Sequence, residues 1–161
     1  VPDLPPAIPA ATLVVFRDRA NGPPELLMVE RAKAMAFAGG ALVFPGGRVD
    51  PHDHALAETL DGDPDETAHR IAAVRETIEE AGLAIGLTPS LAPAAITALR
   101  QSLHREEPFG AALARVGAGF ALDDLTPFAR WRPAHANMRI FDTRFYLARL
   151  PEDAPAPSVD R

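Results

Sequence analysis

Within the run Arg75-Glu76-Thr77-Ile78-Glu79-Glu80-Ala81-Gly82-Leu83, three carboxylates stand at i, i+3 and i+4 beside an arginine, just ahead of a glycine that can end a helix. On a helix turning about 100° per residue, Val74, Ile78, Ala81 and Gly82 cluster around Ile71, and Glu76, Glu79 and Glu80 fall on the far side. An amphipathic helix that simply points its charges at water has the same pattern. Carboxylates packed this closely repel one another, since like charges at i,i+4 are mildly destabilising. A hard cation removes that objection. Mg²⁺ takes oxygen ligands and keeps several waters, so a few carboxylates and the oxygens of a phosphate complete its shell. The chemistry these residues can support is metal-assisted phosphate chemistry. Upstream stands Phe44-Pro45-Gly46-Gly47, whose glycines allow a tight turn and close backbone approach to a phosphate or metal. Gly-Gly alone is an ordinary turn, and its place ahead of the acidic helix makes a functional loop the stronger expectation.

The elements that must position these residues follow from hydrophobic pattern and breakers. Ala11 to Phe16 and Glu25 to Glu30 are apolar runs on either side of Asn21-Gly22-Pro23-Pro24, which predicts strand, loop, strand. Ala41 to Phe44 is a further strand stopped by Pro45. The acidic helix is predicted to start near Asp65, after Pro64, and to end near Gly82. Between them, Pro51 to Pro64 carries His52, Asp53, His54 and Asp63 and is expected to be an exposed polar loop. A His-x-His spacing says little about metal in a loop. Leu91 to His104 and Phe109 to Val116 have helical spacing and are split by Glu106-Glu107-Pro108, which predicts a helical hairpin with a solvated acidic connection. Leu125 to Trp131 and Phe141 to Ala148 return as strands rich in aromatic and branched residues. Trp131, the only tryptophan, is expected in the core or at its rim. Strands alternating with a few helices give an α/β or α+β layer structure.

On these residues the chain resembles the Nudix hydrolases, whose signature is Gly-x5-Glu-x7-Arg-Glu-U-x-Glu-Glu-x-Gly-U, with U a bulky aliphatic residue. Arg75, Glu76, Glu79, Glu80, Gly82 and Leu83 fill the second half, with Thr77 at the first U position, and Gly47 looks like the opening glycine. Between Gly47 and Arg75 lie 27 residues where the signature has 13, so 14 are extra. Eight positions before Arg75, where the first glutamate should stand, is Thr67; Glu66 is one position off and is given no catalytic role. The long insertion, with Glu30-Arg31, Phe128-Ala129-Arg130-Trp131 and the stretch Arg139 to Leu147, looks like the branch that includes peroxisomal coenzyme A diphosphatases.

The resemblance implies a Nudix fold, a mixed β-sheet sandwiched between α-helices, that hydrolyses a diphosphate link with Mg²⁺ or Mn²⁺. It implies that Glu76, Glu79 and Glu80 hold the metal with a main-chain carbonyl near Gly47, and that Arg75 pairs with a glutamate to fix its rotamer. Glu76 is the candidate general base, with an acidic residue beyond Arg161 as the other. Gly46, Gly47, Arg31 and Arg48 are the candidate substrate contacts, and Lys33 can meet further phosphate charge. The implied substrate is a small-molecule nucleoside diphosphate derivative, with coenzyme A or its acyl esters as the finer expectation. A non-catalytic nucleotide-binding module of the same fold is the alternative, and an acidic partner-binding surface comes third. The family leaves room for a homodimer, although no heptad or apolar stripe identifies an interface.

Composition agrees with this picture. At 161 residues and 47% hydrophobic, the chain suits one domain over residues 11–161, with residues 1–10, which hold prolines at positions 2, 5, 6 and 9, as an extended arm. Val1 stands where methionine would open a complete chain, so residues before it are expected; the resembled fold normally closes with a further strand and helix, expected either beyond Arg161 or as a disordered closing element. A net charge of −6 argues against nucleic acid as a bulk electrostatic partner. The absence of cysteine excludes disulfides and thiolate zinc sites and fits a cytoplasmic protein. No apolar run approaches a membrane span, and the start lacks the basic and apolar regions of a signal peptide.

Overall fold

The computed structural model describes residues 6–31, 39–133 and 139–158; Lys33 lies outside the described residues. Strand β1 (Ile8–Arg17) is the spine of a mixed sheet. Strand β9 (Phe141–Arg149) runs parallel to it, in register from Ile8 opposite Phe141 to Phe16 opposite Arg149. Strand β8 (Thr126–Trp131) pairs antiparallel with β9 at the outer edge. On the other side of β1, β5 (Gly46–Arg48) pairs with its first half and β2 (Glu25–Leu26) with its end, both antiparallel. Two short ladders, β3 (Val29–Glu30) with β4 (Leu42–Val43) and β6 (Leu87–Thr88) with β7 (Gly119–Phe120), complete the strands.

The alternation of β1 sends Ala11, Leu13 and Val15 to one face, where the helices cover them. Helix α2 (Pro64–Ala81) lies against β1 and β5, with Ile71, Val74 and Ile78 wholly buried. Burying each of those three stabilises the fold by roughly 1.5–3 kcal/mol. Helix α1 (Pro51–Ala57) packs on α2, as does α3 (Pro93–His104), which in turn carries α4 (Phe109–Val116).

The ends of α2 are written locally. Asp63 caps its start by accepting from the Glu66 backbone N–H at 2.8 Å, Pro64 takes the first turn, and Asp65 and Glu66 meet the positive end of the dipole. Gly82 ends it in the left-handed region at φ 65°, where a Cβ is strained. The long N-terminal part of the helix, which the insertion supplies, is tied to β9. Arg144 donates to Glu66 at 2.6 Å and also to Asp65, and Arg70 donates to the Leu122 carbonyl at 2.8 Å.

Four expectations change. Gly46 and Gly47 belong to strand β5 instead of a loop, since both pair with β1. The segment 51–64 is not an exposed loop: its first half is α1, with Asp53 and Ala57 buried. Strand β1 opens at Ile8, inside the residues read as an arm. Trp131 is 63% exposed on the edge strand β8, so it is no core residue.

Candidate active site

Packing α2 across β5 sets the acidic face of the helix against two glycines. The Gly46 N–H donates to Glu80 Oε2 at 3.1 Å. A Cβ built on Gly47 would stand 2.4 Å from Glu76 Oε1, and one on Gly46 would stand 2.5 Å from the Ala11 carbonyl oxygen. Neither glycine has a positive φ, so space is what they provide. Gly46→Ala forces β1 and β5 apart and is expected to cost about 1–3 kcal/mol in urea unfolding. Gly119→Ala, with nothing within 4 Å of its added carbon, is the silent control.

Arg75 sits behind the glutamates, 8% exposed. Its Nε donates to Asp53 Oδ1 at 3.1 Å and its Nη2 to Asp53 Oδ2 at 2.9 Å, a forked pair between two buried groups. Nη2 also donates to the Arg48 carbonyl at 2.9 Å, and Nη1 to Glu76 Oε1 at 2.8 Å. Asp53 takes a third donor, the Asp50 N–H at 2.9 Å. The expected pairing of Arg75 with a glutamate is present, and its main anchor is an aspartate absent from the candidate residues. The signal was available. Passing over five residues after Gly47 leads to Asp53, where the signature has its first glutamate; counting back from Arg75 leads to Thr67 because the extra residues lie between.

Glu76 and Glu79 share this cation, and Glu80 turns to the Gly46 N–H. Burial pushes the Glu76 carboxyl up to about 7 against the pull of Arg75, and Glu79 and Glu80 add to the push. Burial likewise raises Glu79, opposed by Arg75 and His104, and raises Glu80, opposed by the Gly46 N–H. A raised carboxyl binds more protons folded than unfolded near neutrality, so folding loses stability as pH rises from about 4.5 through 7. In metal-free protein, ionising Glu76 is expected to cost about 3 kcal/mol by pH 8 relative to pH 4.5. Urea unfolding with chelator should show that difference for wild type against Glu76→Gln, and parallel pH curves would refute it.

Glu79 and Glu80 open onto a pocket of about 820 Å³. Its wall is apolar over Met28, Val29, Leu42, Val43, Phe44 and Phe145, and Arg31, Arg100 and His104 join the carboxylates at the polar end. Of the candidate substrate contacts the pocket takes in Arg31 and Gly46. Arg48 is exposed on β5 outside the lining, its carbonyl committed to Arg75. Glu66 is held by Arg70 and Arg144, away from the other glutamates.

Residues 7–111 match the family model described as NUDIX domain. The chain belongs to the Nudix hydrolase family. A crystal structure of a Nudix hydrolase from Alicyclobacillus acidocaldarius is similar to it at 32% identity and TM-score 0.80, over 97% of this chain and 75% of that one. An Ap4A hydrolase from C. elegans in a binary complex aligns at 18% identity and TM-score 0.50, over 96% and 73%, and shares the fold. So does a MutT/nudix family protein from Enterococcus faecalis, at 14% identity and TM-score 0.52, over 99% and 45%. Among proteins with curated descriptions none is significantly similar to this chain.

Nudix hydrolases are in general metal-dependent enzymes that cleave pyrophosphate bonds in small-molecule nucleotide derivatives. The donor set here fits a divalent cation of the Mg²⁺ kind, because Glu79 and Glu80 offer hard oxygens to the pocket and burial penalises their charge until a cation offsets it. Among the described residues no three His, Cys, Asp or Glu side chains converge to hold an ion alone. The fit is therefore to a cation that completes its shell with water and phosphate. Nor is any helix among the described residues long and apolar enough to cross a membrane.

Proposed function

We propose that this Nudix hydrolase cleaves the diphosphate link of a nucleoside diphosphate derivative, with coenzyme A or its acyl esters as substrate and Mg²⁺ or Mn²⁺ as cofactor. One observation carries the substrate reading: a single pocket is lined both by carboxylates and by apolar side chains. A diphosphate bearing an apolar arm has that same division.

Glu76, Glu79, Glu80 and the Gly47 carbonyl would hold the cation, which when bound supplies a water of lowered pKa and offsets charge on the leaving phosphate. Arg75 holds the Glu76 carboxylate in one orientation, and Asp53 holds Arg75. Glu76 is proposed as the general base, its carboxylate oriented by the Arg75 Nη1 donor. Arg31 meets phosphate charge at the pocket wall, while Gly46 and Gly47 leave the helix room to approach the sheet. Arg48 is proposed as a further substrate contact, its exposed side chain lying outside the pocket lining.

The test is product release from coenzyme A, an acyl-coenzyme A, ADP-ribose, NADH and dinucleoside polyphosphates with Mg²⁺ or Mn²⁺. Metal-dependent cleavage of the coenzyme A compounds ahead of the rest is the expected result. Preference for ADP-ribose or dinucleoside polyphosphates would overturn the substrate assignment. Tight binding of one compound with no turnover of any would replace the hydrolase with a nucleotide-binding module.

A further inference from the structure

The last turn of α2 carries both carboxylates that open on the pocket, Glu79 and Glu80, and it carries no basic residue of its own. Acidic side chains at the negative end of a helix dipole are unfavourably placed, and the last carbonyls of a helix lack intrahelical donors. Here α3 supplies what α2 lacks. Arg100, 6% exposed, donates from Nε to the Glu79 carbonyl at 2.8 Å. His104, one turn further along α3, stands with Nε2 at 3.2 Å from the same oxygen. Arg100 Nη1 continues to Ser158 Oγ at 3.1 Å, and the Ser158 N–H donates to the Ala81 carbonyl at 2.9 Å. A Cβ on Gly82 would meet Ser158 Oγ at 2.7 Å and Arg100 Nη1 at 3.2 Å, so the turn is enclosed as well as bonded.

We propose that Arg100, assisted by His104, is a positioning residue that locks the last turn of α2 and so aims Glu79 and Glu80 into the pocket. Nε of Arg100 donates to a main-chain oxygen and Nη1 to Ser158, so the effect of Arg100 on Glu79 and Glu80 runs through the helix. The consequence for metal rests on the reading of Glu79 and Glu80 as its ligands; the consequence for the helix does not. Removing a group that orients a ligand typically costs 10–100-fold in metal affinity or activity.

The experiment compares Arg100→Gln, Arg100→Lys and His104→Ala with Leu103→Ala, which loosens α3 without touching the Glu79 carbonyl. Three readouts are taken: amide hydrogen exchange in metal-free protein, Mn²⁺ affinity by electron paramagnetic resonance, and kcat against KM. In Arg100→Gln the amides at the end of α2 should exchange about tenfold faster, Mn²⁺ should bind about tenfold more weakly, and kcat should fall with KM within about twofold. Arg100→Lys, which keeps a donor, should recover part of each. Unchanged exchange and Mn²⁺ affinity in Arg100→Gln, or equal changes in Leu103→Ala, would overturn the proposal. If Arg100→Gln does not fold, exposed His104 decides through His104→Ala, where unchanged exchange and affinity overturn it. Faster exchange in variants of a protein whose wild type binds no Mn²⁺ would uphold the positioning and sink the metal role of Glu79 instead.

Discussion

Glu79→Gln is expected to lower metal-dependent diphosphate hydrolysis by roughly a hundredfold or more, with little change in thermal unfolding. The substitution keeps the shape of the side chain and removes one negative charge from the pocket end of α2. Burial disfavours that charge in the metal-free protein, so its loss does not weaken the fold. The Arg75 guanidinium, 3.6 Å away, keeps its partners Asp53 and Glu76. What disappears is an anionic oxygen donor for a hard cation. Glu80→Gln should act in the same direction, with the Gly46 N–H still able to donate to the amide oxygen. Both are checked by initial rates across a Mg²⁺ titration beside Mn²⁺ binding. Retention of wild-type rates and metal affinity in both variants would leave the acidic face as a partner-binding surface, the third reading of the sequence.

Asp53→Ala should be the most damaging change to stability, at about 3–5 kcal/mol, because it strips the buried Arg75 cation of its two hydrogen bonds to Asp53 and of that carboxylate's charge. Asp53 is 1% exposed and accepts from Nε and Nη2 of the guanidinium. Water cannot readily replace it. The effect should extend to activity, since Arg75 then no longer fixes Glu76. The double variant Asp53→Ala with Arg75→Met removes the stranded charge and should recover part of the stability without recovering activity. Urea unfolding of the two singles and the double closes the cycle. A loss below about 1 kcal/mol for Asp53→Ala would place the pair among surface ion pairs of little worth.

The acidic helix was legible because its information is local. Period, Pro64 and a terminal Gly82 lie within one stretch, and α2 spans Pro64–Ala81, starting one residue ahead of Asp65. The segregation of Glu76, Glu79 and Glu80 from Ile71, Val74 and Ile78 follows from the same period, and with Arg75 and Gly82 it was enough to identify the family. The strands at Phe141 and Thr126 and the hairpin of α3 and α4 were likewise signalled by short-range pattern.

The partners of that helix were decided elsewhere. Asp53 sits 22 positions from Arg75, across the insertion; its spacing from Gly47 marks the position, but its pairing with Arg75 depends on a contact that spacing does not give. Gly46 and Gly47 look like a turn in sequence. They become strand residues because β1 offers a ladder, and they must be glycine because Glu76 and the Ala11 carbonyl occupy the space of a side chain. Arg100 and His104 are ordinary helix residues until α3 brings them to the Glu79 carbonyl. The sequence by itself determined which residues could carry charge to one face of one helix, since that depends only on backbone period. Which groups fix, crowd and neutralise that face depends on contacts between distant segments, and the tertiary structure alone decided them.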